Sequence, residues 1–537
     1  KEFDIKDILE VVNPYIQIAE RDIKCTETGL KLNEIWRYFR LLWSNPPTSV
    51  PGREMHFLVR DASLKFHPII GIGSLSSAVV ANEKRDEFLG WSSTKPTHKG
   101  IIELKNLSAR DAWRWISIQM EDWIDSIYAE DLIEQEILSL KVLIDLKVSF
   151  SKYFKGNEDY SELEIKKIIE KLLKISEKSR KSHRDNLTAS KDFSKSKNQK
   201  VKNWEIEARK ELFKAKRCAG LADLLKTYVQ LNIKLSHLSK KDHPINYLCN
   251  KDLPSAVLSK LINKIKQKHL AGSIADLTVC GAIPPYNNLL GGKLISALSI
   301  SPKLIRNFQE RYKNSVSIIA SSMAGKEVIR EAKLVLVTTT SLYGIRPSQY
   351  DRVAIKFKEN IANKLHFKFL GRTKGSGSVH LSEQSLSEMK DFLNQIKKGK
   401  KRVNYIFGEG VSPRMRNLRE GLTAIGFDTD KTMKHHMPRG LYVAPLAKNL
   451  TRYIMGIDKR PNYGFSLPVL KTKTDKFTNQ IISWWFNRWI KLRLTDDNKL
   501  NLIKKNLLKE NLSYPINHSA RVKSLRNDLE QLQLFNQ

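Results

Sequence analysis

The stretch from Asp276 to His380 limits the possible folds more than any other part of the chain, because short strand-like runs alternate there with helical spacing. Asp276-Leu-Thr-Val-Cys-Gly-Ala-Ile283 is apolar, has strand character and is halted by Pro284-Pro285. Asn287-Asn-Leu-Leu-Gly291-Gly292-Lys293 leads into Leu294–Ile300, whose apolar spacing predicts a helix. Lys333–Thr340 is a β-branched strand broken at Ser341-Leu-Tyr-Gly344. Pro347–Arg352 opens a further helix, and Phe367–Gly371 is a closing strand before the Gly375 and Gly377 loop. This alternation predicts an α/β (α+β) sheet protein.

The turn at Gly291-Gly292 carries chemical interest. Paired glycines let backbone approach a ligand, and free N–H groups at a helix start attract an anion such as a pyrophosphate. Lys293 adds a positive charge there, although a Gly-Gly pair serves tight helix–strand packing equally well. Thr339 and Thr340 stand near a strand end, where hydroxyls can orient phosphate or sugar, and Tyr350, Asp351 and Arg352 follow. A tyrosine beside an arginine could have its proton transfer tuned toward neutral pH, and it could equally be packed.

Charge narrows the partner. The 537 residues carry 93 Lys+Arg against 57 Asp+Glu, a formal charge of +36. Such an imbalance repels itself in a compact state unless a polyanion relieves it, so DNA or RNA is the expected partner, although an AT-rich coding bias toward Lys and Asn would explain part of the excess. At 41% hydrophobic the chain can pack a core, and its length suits two or three domains. Cys25, Cys218, Cys249 and Cys280 lie far apart with no C-x-x-C pairing, which fits reduced thiols and no metal site. No apolar run approaches the ~18 residues of a membrane span, and no signal peptide opens the chain, so a cytoplasmic location is expected.

Residues 1–50 read as a helical segment, with helices at Ile5–Val12 and Leu30–Trp43. Residues 51–106 supply early strands at His56–Arg60 and Pro68–Gly73. The section 107–270 is nearly all helical and strongly basic, with an apolar stripe through Trp113, Trp115, Ile116, Met120, Trp123 and Ile124. Residues 271–445 complete the sheet, and 446–537 are mainly helical, with Trp485 and Trp489 four apart as core anchors. Arg60, Asp61 and Arg85 sit beside strand or helix ends, where Arg and Asp also form structural pairs. Arg414, Arg416 and Arg419 cannot all share one helical face at 100° per residue. His56, His67 and His380 in the sheet region are read as structural.

The order of elements resembles the GNAT acyltransferases, in which a central strand ends in a glycine-containing loop that holds the pyrophosphate of acyl-CoA. That resemblance implies a mixed sheet core with a large helical insertion and a helical C-terminal region. It assigns Asn287, Asn288, Gly291, Gly292, Lys293, Thr339 and Thr340 to a cofactor of acyl-CoA type, and makes Tyr350 a general acid beside the thiolate leaving group. The loop spaces its glycines differently from the family pattern, which leaves the cofactor unknown.

A second resemblance covers about residues 50–100 and 275–445. Pro51-Gly-Arg-Glu-Met-His-Phe-Leu-Val-Arg-Asp61, Ile69–Ser74, Arg85–Ser92, Thr338–Arg352 and Leu370–Gly375 are similar to the Druantia anti-phage DruA family. It implies a defence role on nucleic acid, alongside other defence proteins. Three activities stay open. One is a transferase-like enzyme with Tyr350, Asp351, Arg352 and Asp61 at its site. The second is a non-catalytic sensing module, and the third a metal-dependent nuclease. The nucleic-acid contacts expected are Arg60, Arg85, Lys374, Arg414, Arg416, Arg419, His435 and Arg439.

Overall fold

A computed structural model describes residues 4–43, 52–92, 98–151, 162–189, 203–249, 256–343, 345–358, 360–373, 381–396, 413–434, 438–463 and 474–506. Among the described residues nine strands are β1 (Pro14–Ile18), β2 (Glu54–Asp61), β3 (Ile69–Ser77), β4 (Ile274–Ala282), β5 (Leu336–Ser341), β6 (Ala354–Phe357), β7 (Asn360–His366), β8 (Lys368–Arg372) and β9 (Gly440–Pro445). Seven of them form one sheet in the order β1-β2-β3-β4-β5-β9-β8, and β6 and β7 form a separate hairpin.

Every neighbouring pair in the large sheet is antiparallel except β4 and β5. These two run parallel and pair at Ile274–Leu336, Ala275–Val337 and Asp276–Thr338. Beyond that point they part, while β4 continues to Ala282 and β5 to Ser341. The sheet is therefore open at its centre, next to the turn singled out in the sequence. Thr278 is an extra residue in β4, where the register against β3 shifts between Ser74 and Leu75.

Apolar residues cover both faces. On one, the helix Leu32–Leu41 lays Trp36 and Ile35 against Leu58, Ile72 and Val279. On the other, Leu294, Ile295 and Leu298 of the helix Lys293–Ser299 join the main core with Phe57, Val59 and Ile481. The N-terminal segment differs from the all-helical reading, since Pro14–Ile18 is edge strand β1. Pro14 and Ile16 point inward and Tyr15 and Gln17 do not, and a strand's first position tolerates proline.

Between β3 and β4 the described chain is helical. Ala109–Asp125 buries the Trp113, Trp115, Met120 and Trp123 stripe, and Glu211–Leu235 packs along Glu162–Ala189. Arg217 ties this region together from a fully buried position. It donates to both carboxylate oxygens of Asp131 at 2.7 Å, to the Tyr128 carbonyl at 2.6 Å and to the Ala208 carbonyl. Among the described residues no helix is long and apolar enough to cross a membrane.

Candidate functional site

The glycine turn after β4 lies beneath the C-terminal helices. Gly291 has φ +62°, a conformation costly for residues with a Cβ, and the Trp489 ring lies 3.1 Å from where a Cβ would stand. At Gly292 a Cβ would come within 2.5 Å of the Gln349 amide. The close approach that glycine permits is thus made to Trp489 and Gln349. Indole N–H groups of Trp485 and Trp489 donate to the Leu290 and Leu289 carbonyls at 3.4 and 3.3 Å. Arg493 donates to the Asn288 and Leu289 carbonyls. Asn287 and Asn288 themselves are exposed.

Lys293 follows this turn and is 6% exposed. Its ammonium stands 3.4 Å from the centre of the Trp489 ring, and the Arg493 guanidinium lies 4.0 Å from the same ring. Burial, then the charges of Arg352, Arg493 and Arg488, push the Lys293 amine down to about 8. Arg352 and Arg488 are exposed. Among the described residues no carboxylate pairs with Lys293, so Lys293 and Arg493 share one indole ring while the charges of Arg352 and Arg488 also act on Lys293. The charge of Asp496 acts on Arg493. Such a pole stabilises an arriving anion, because each cation is relieved by it.

The gap between β4 and β5 is filled by the single helical turn Ser348–Asp351. Gln349 donates its amide N–H to the Cys280 carbonyl at 3.0 Å. Tyr350 is buried, with its ring 5.2 Å from those of Phe367 and Tyr442. Burial first, then the neighbouring Cys280, push its phenol well above the ordinary value, while burial pushes the Cys280 thiol up to about 12. Both groups are therefore protonated at neutral pH. Thr339 is buried and donates to the Leu277 carbonyl at 2.8 Å, whereas Thr340 is exposed. Asp351 pairs with Arg346 at 2.8 Å.

Several expected site residues have structural partners instead. Asp61 accepts from the backbone N–H groups of Asn13 and Ser63 and from the Ser63 hydroxyl, closing the β2–β3 turn. Arg60 turns inward to the His67 carbonyl at 3.0 Å and the Cys25 sulfur at 2.9 Å. Arg85 is fully buried, bonded to Asp86 and to the Val79 and Val80 carbonyls. Arg439 joins the β8–β9 end through backbone bonds with Thr373. Arg414, Arg416 and Arg419 stand on the helix Pro413–Ala424, whose Leu418 and Leu422 belong to a small core separate from that of the glycine turn. Lys374, His380 and His435 lie outside the described residues. Asp61, Asp86, Asp276 and Asp351 have separate partners, and no group of three metal-ligating side chains converges among the described residues. The sequence reading missed Arg488 and Arg493; their spacing from Trp489 was the available signal.

Sheet and site together define a strongly basic, mixed α/β protein with a cation-rich pole at the centre of its sheet. The family model described as Druantia protein DruA matches residues 5–110 and 261–456, more than half of the chain. The chain belongs to that DruA family. It is similar to the Druantia protein DruA of Escherichia coli (strain UMEA 4076-1), at 34% identity over 179 residues. That match spans 33% of this chain and 41% of the relative, less than half the length of either. No solved structure matches the chain.

Proposed function

We propose that this chain is a nucleic-acid-binding protein of bacterial anti-phage defence, acting with other proteins of a Druantia system. The observation that carries the reading is that the charges of Arg352, Arg488 and Arg493 converge on Lys293, which with Arg493 lies against Trp489, on a chain with a formal charge of +36. A phosphate backbone supplies the negative charge that this pole lacks. Membership of the DruA family supports the defence setting.

In this reading the core is GNAT-like. It is built from residues 51–106 and 271–445, with the helical section 107–270 inserted and a helical C-terminal region over 446–537, of which Trp485, Trp489 and Arg493 pack on the turn. The sheet order, with its single central parallel pair followed by a glycine turn and a helix, supports it. The test is anisotropy of labelled duplex DNA, single-stranded DNA and RNA with the full chain. We expect affinity to fall steeply with salt, and Arg352→Gln/Arg493→Gln to weaken it by about tenfold. Absence of binding to all three at low salt would overturn the reading.

A second reading, a transferase-like site, is favoured by the Tyr350 hydroxyl, kept protonated in the opening between β4 and β5 beside Cys280. An acyl-CoA-type ligand held by Asn287, Asn288, Gly291, Gly292, Lys293, Thr339 and Thr340 requires Trp489 and Gln349 to move aside, because they occupy the approach to the glycines. Acetyl-CoA should then raise the melting temperature of the native chain but not of Gly292→Glu. No shift in the native chain would sink this reading alone.

A further inference from the structure

A second cationic surface lies at the start of β2, and none of its residues was expected from the sequence. Arg53 and Arg311 place their guanidinium carbons 5.1 and 5.8 Å from the centre of one ring, Tyr312. Arg330 is near enough for its charge to act on Arg53, and it has no hydrogen bond or carboxylate partner among the described residues. Arg311 and the exposed Arg21 both act on His56, whose imidazole is pushed down to about 4 by burial first and then by these two charges. His56 is therefore neutral at physiological pH.

The acids facing this group are few. Glu20 is 3.9 Å from Arg311. Glu54 is 3.7 Å from the His56 imidazole, and burial raises its carboxyl while Arg21 opposes that shift. Glu331 is taken by Lys333 at 2.6 Å. Hydroxyls lie beside His56. His56 and Ser74 are cross-strand partners with Nδ1 and Oγ 3.0 Å apart, and Ser76 is 2.9 Å from Thr278, the exposed extra residue of β4. Guanidinium and hydroxyl groups together are the usual ligands of phosphate oxygens.

The aromatic rings here are already engaged. Trp36 is stacked on His56 at 3.6 Å, and Tyr312 is flanked by Arg53 and Arg311 and packed edge-on against Phe308. Stacking of unpaired bases needs an open ring face, so this surface favours backbone contact with a duplex over capture of a single strand.

We infer that Arg21, Arg311 and Arg330, beside an Arg53 held by the Ala271 carbonyl at 2.7 Å, form a contact surface for the phosphodiester backbone of a double-stranded nucleic acid. The inference rests on the nucleic-acid reading above but concerns a different surface from the Lys293 pole. Its test is the triple variant Arg21→Gln/Arg311→Gln/Arg330→Gln of the full chain, titrated with duplex DNA, duplex RNA and single-stranded DNA across a salt series. We expect duplex affinity to fall by about tenfold or more whatever the base sequence, and the salt slope to shrink by about 2–3. The DNA and RNA arms show which duplex is taken.

A triple Arg→Lys variant keeps the charge and should retain most of the binding, which separates a lost contact from a lost fold. If the native chain binds duplex and the Gln variant keeps its affinity and slope, the surface is wrong and the nucleic-acid reading stands. If single-strand binding suffers more than duplex binding, the duplex assignment is overturned. If the native chain binds no nucleic acid, both fall.

Discussion

Lys293 shows how one residue can be both a cost to the fold and a means of binding. Its pKa is lower in the folded chain than in the unfolded chain, so the unfolded chain holds the extra proton between about pH 8 and the ordinary lysine range near 10.5. Stability should therefore rise with pH across that window. Lys293→Met removes the buried charge and should stabilise the free protein by about 1 kcal/mol at pH 7, an advantage that fades above pH 10. Thermal unfolding of both proteins at the two pH values checks this; an advantage that grows with pH would refute it. The raised phenol of Tyr350 and the raised thiol of Cys280 have the opposite consequence, since neither group offers a charge to a ligand at neutral pH.

At the scale of elements, the helical section between β3 and β4 is held by a few buried polar contacts as well as by its apolar stripe. Arg217 and Asp131 are both fully enclosed, and the guanidinium also satisfies two carbonyls. Removing one partner strands a charge. Arg217→Met should therefore destabilise the protein by about 3–5 kcal/mol, and adding Asp131→Leu should recover a large part of the loss. Urea unfolding followed by circular dichroism measures both, and equal midpoints for the single and double variants would show the pair is not coupled. Around the glycine turn, Trp485, Trp489 and Arg493 tie the C-terminal helices to carbonyls at 290, 289 and 288.

For the molecule as a whole, +36 is distributed unequally. Some cations are used internally, as at Arg60, Arg85 and Arg217, and these contribute nothing to an outer field beyond the partners they neutralise. Others gather at the Lys293 pole and beside Tyr312, where carboxylates are scarce. Each phosphate contact such surfaces make should contribute about −0.9 to the slope of log affinity against log salt, so the slope in the binding experiment counts them.

Period and turn chemistry were legible in the chain. The strands around 274–282, 336–341 and 368–372, the Trp-rich helix at 109–125 and the glycine turn are local patterns, since strand and helix repeats and Gly-Gly pairs act within a few residues. Family membership was legible for the same reason, through short runs of residues. Side-chain destination was not. Arg60 and Arg85 are open in sequence to a nucleic-acid contact or a structural pair, and β2–β3 pairing and the helix cap at Asn82 turn them inward, while the charges of Arg352, Arg488 and Arg493 meet at Lys293 across more than one hundred residues. Whether a charge is buried against a carbonyl or left facing water depends on which distant elements pack beside it, and only the tertiary structure fixes that.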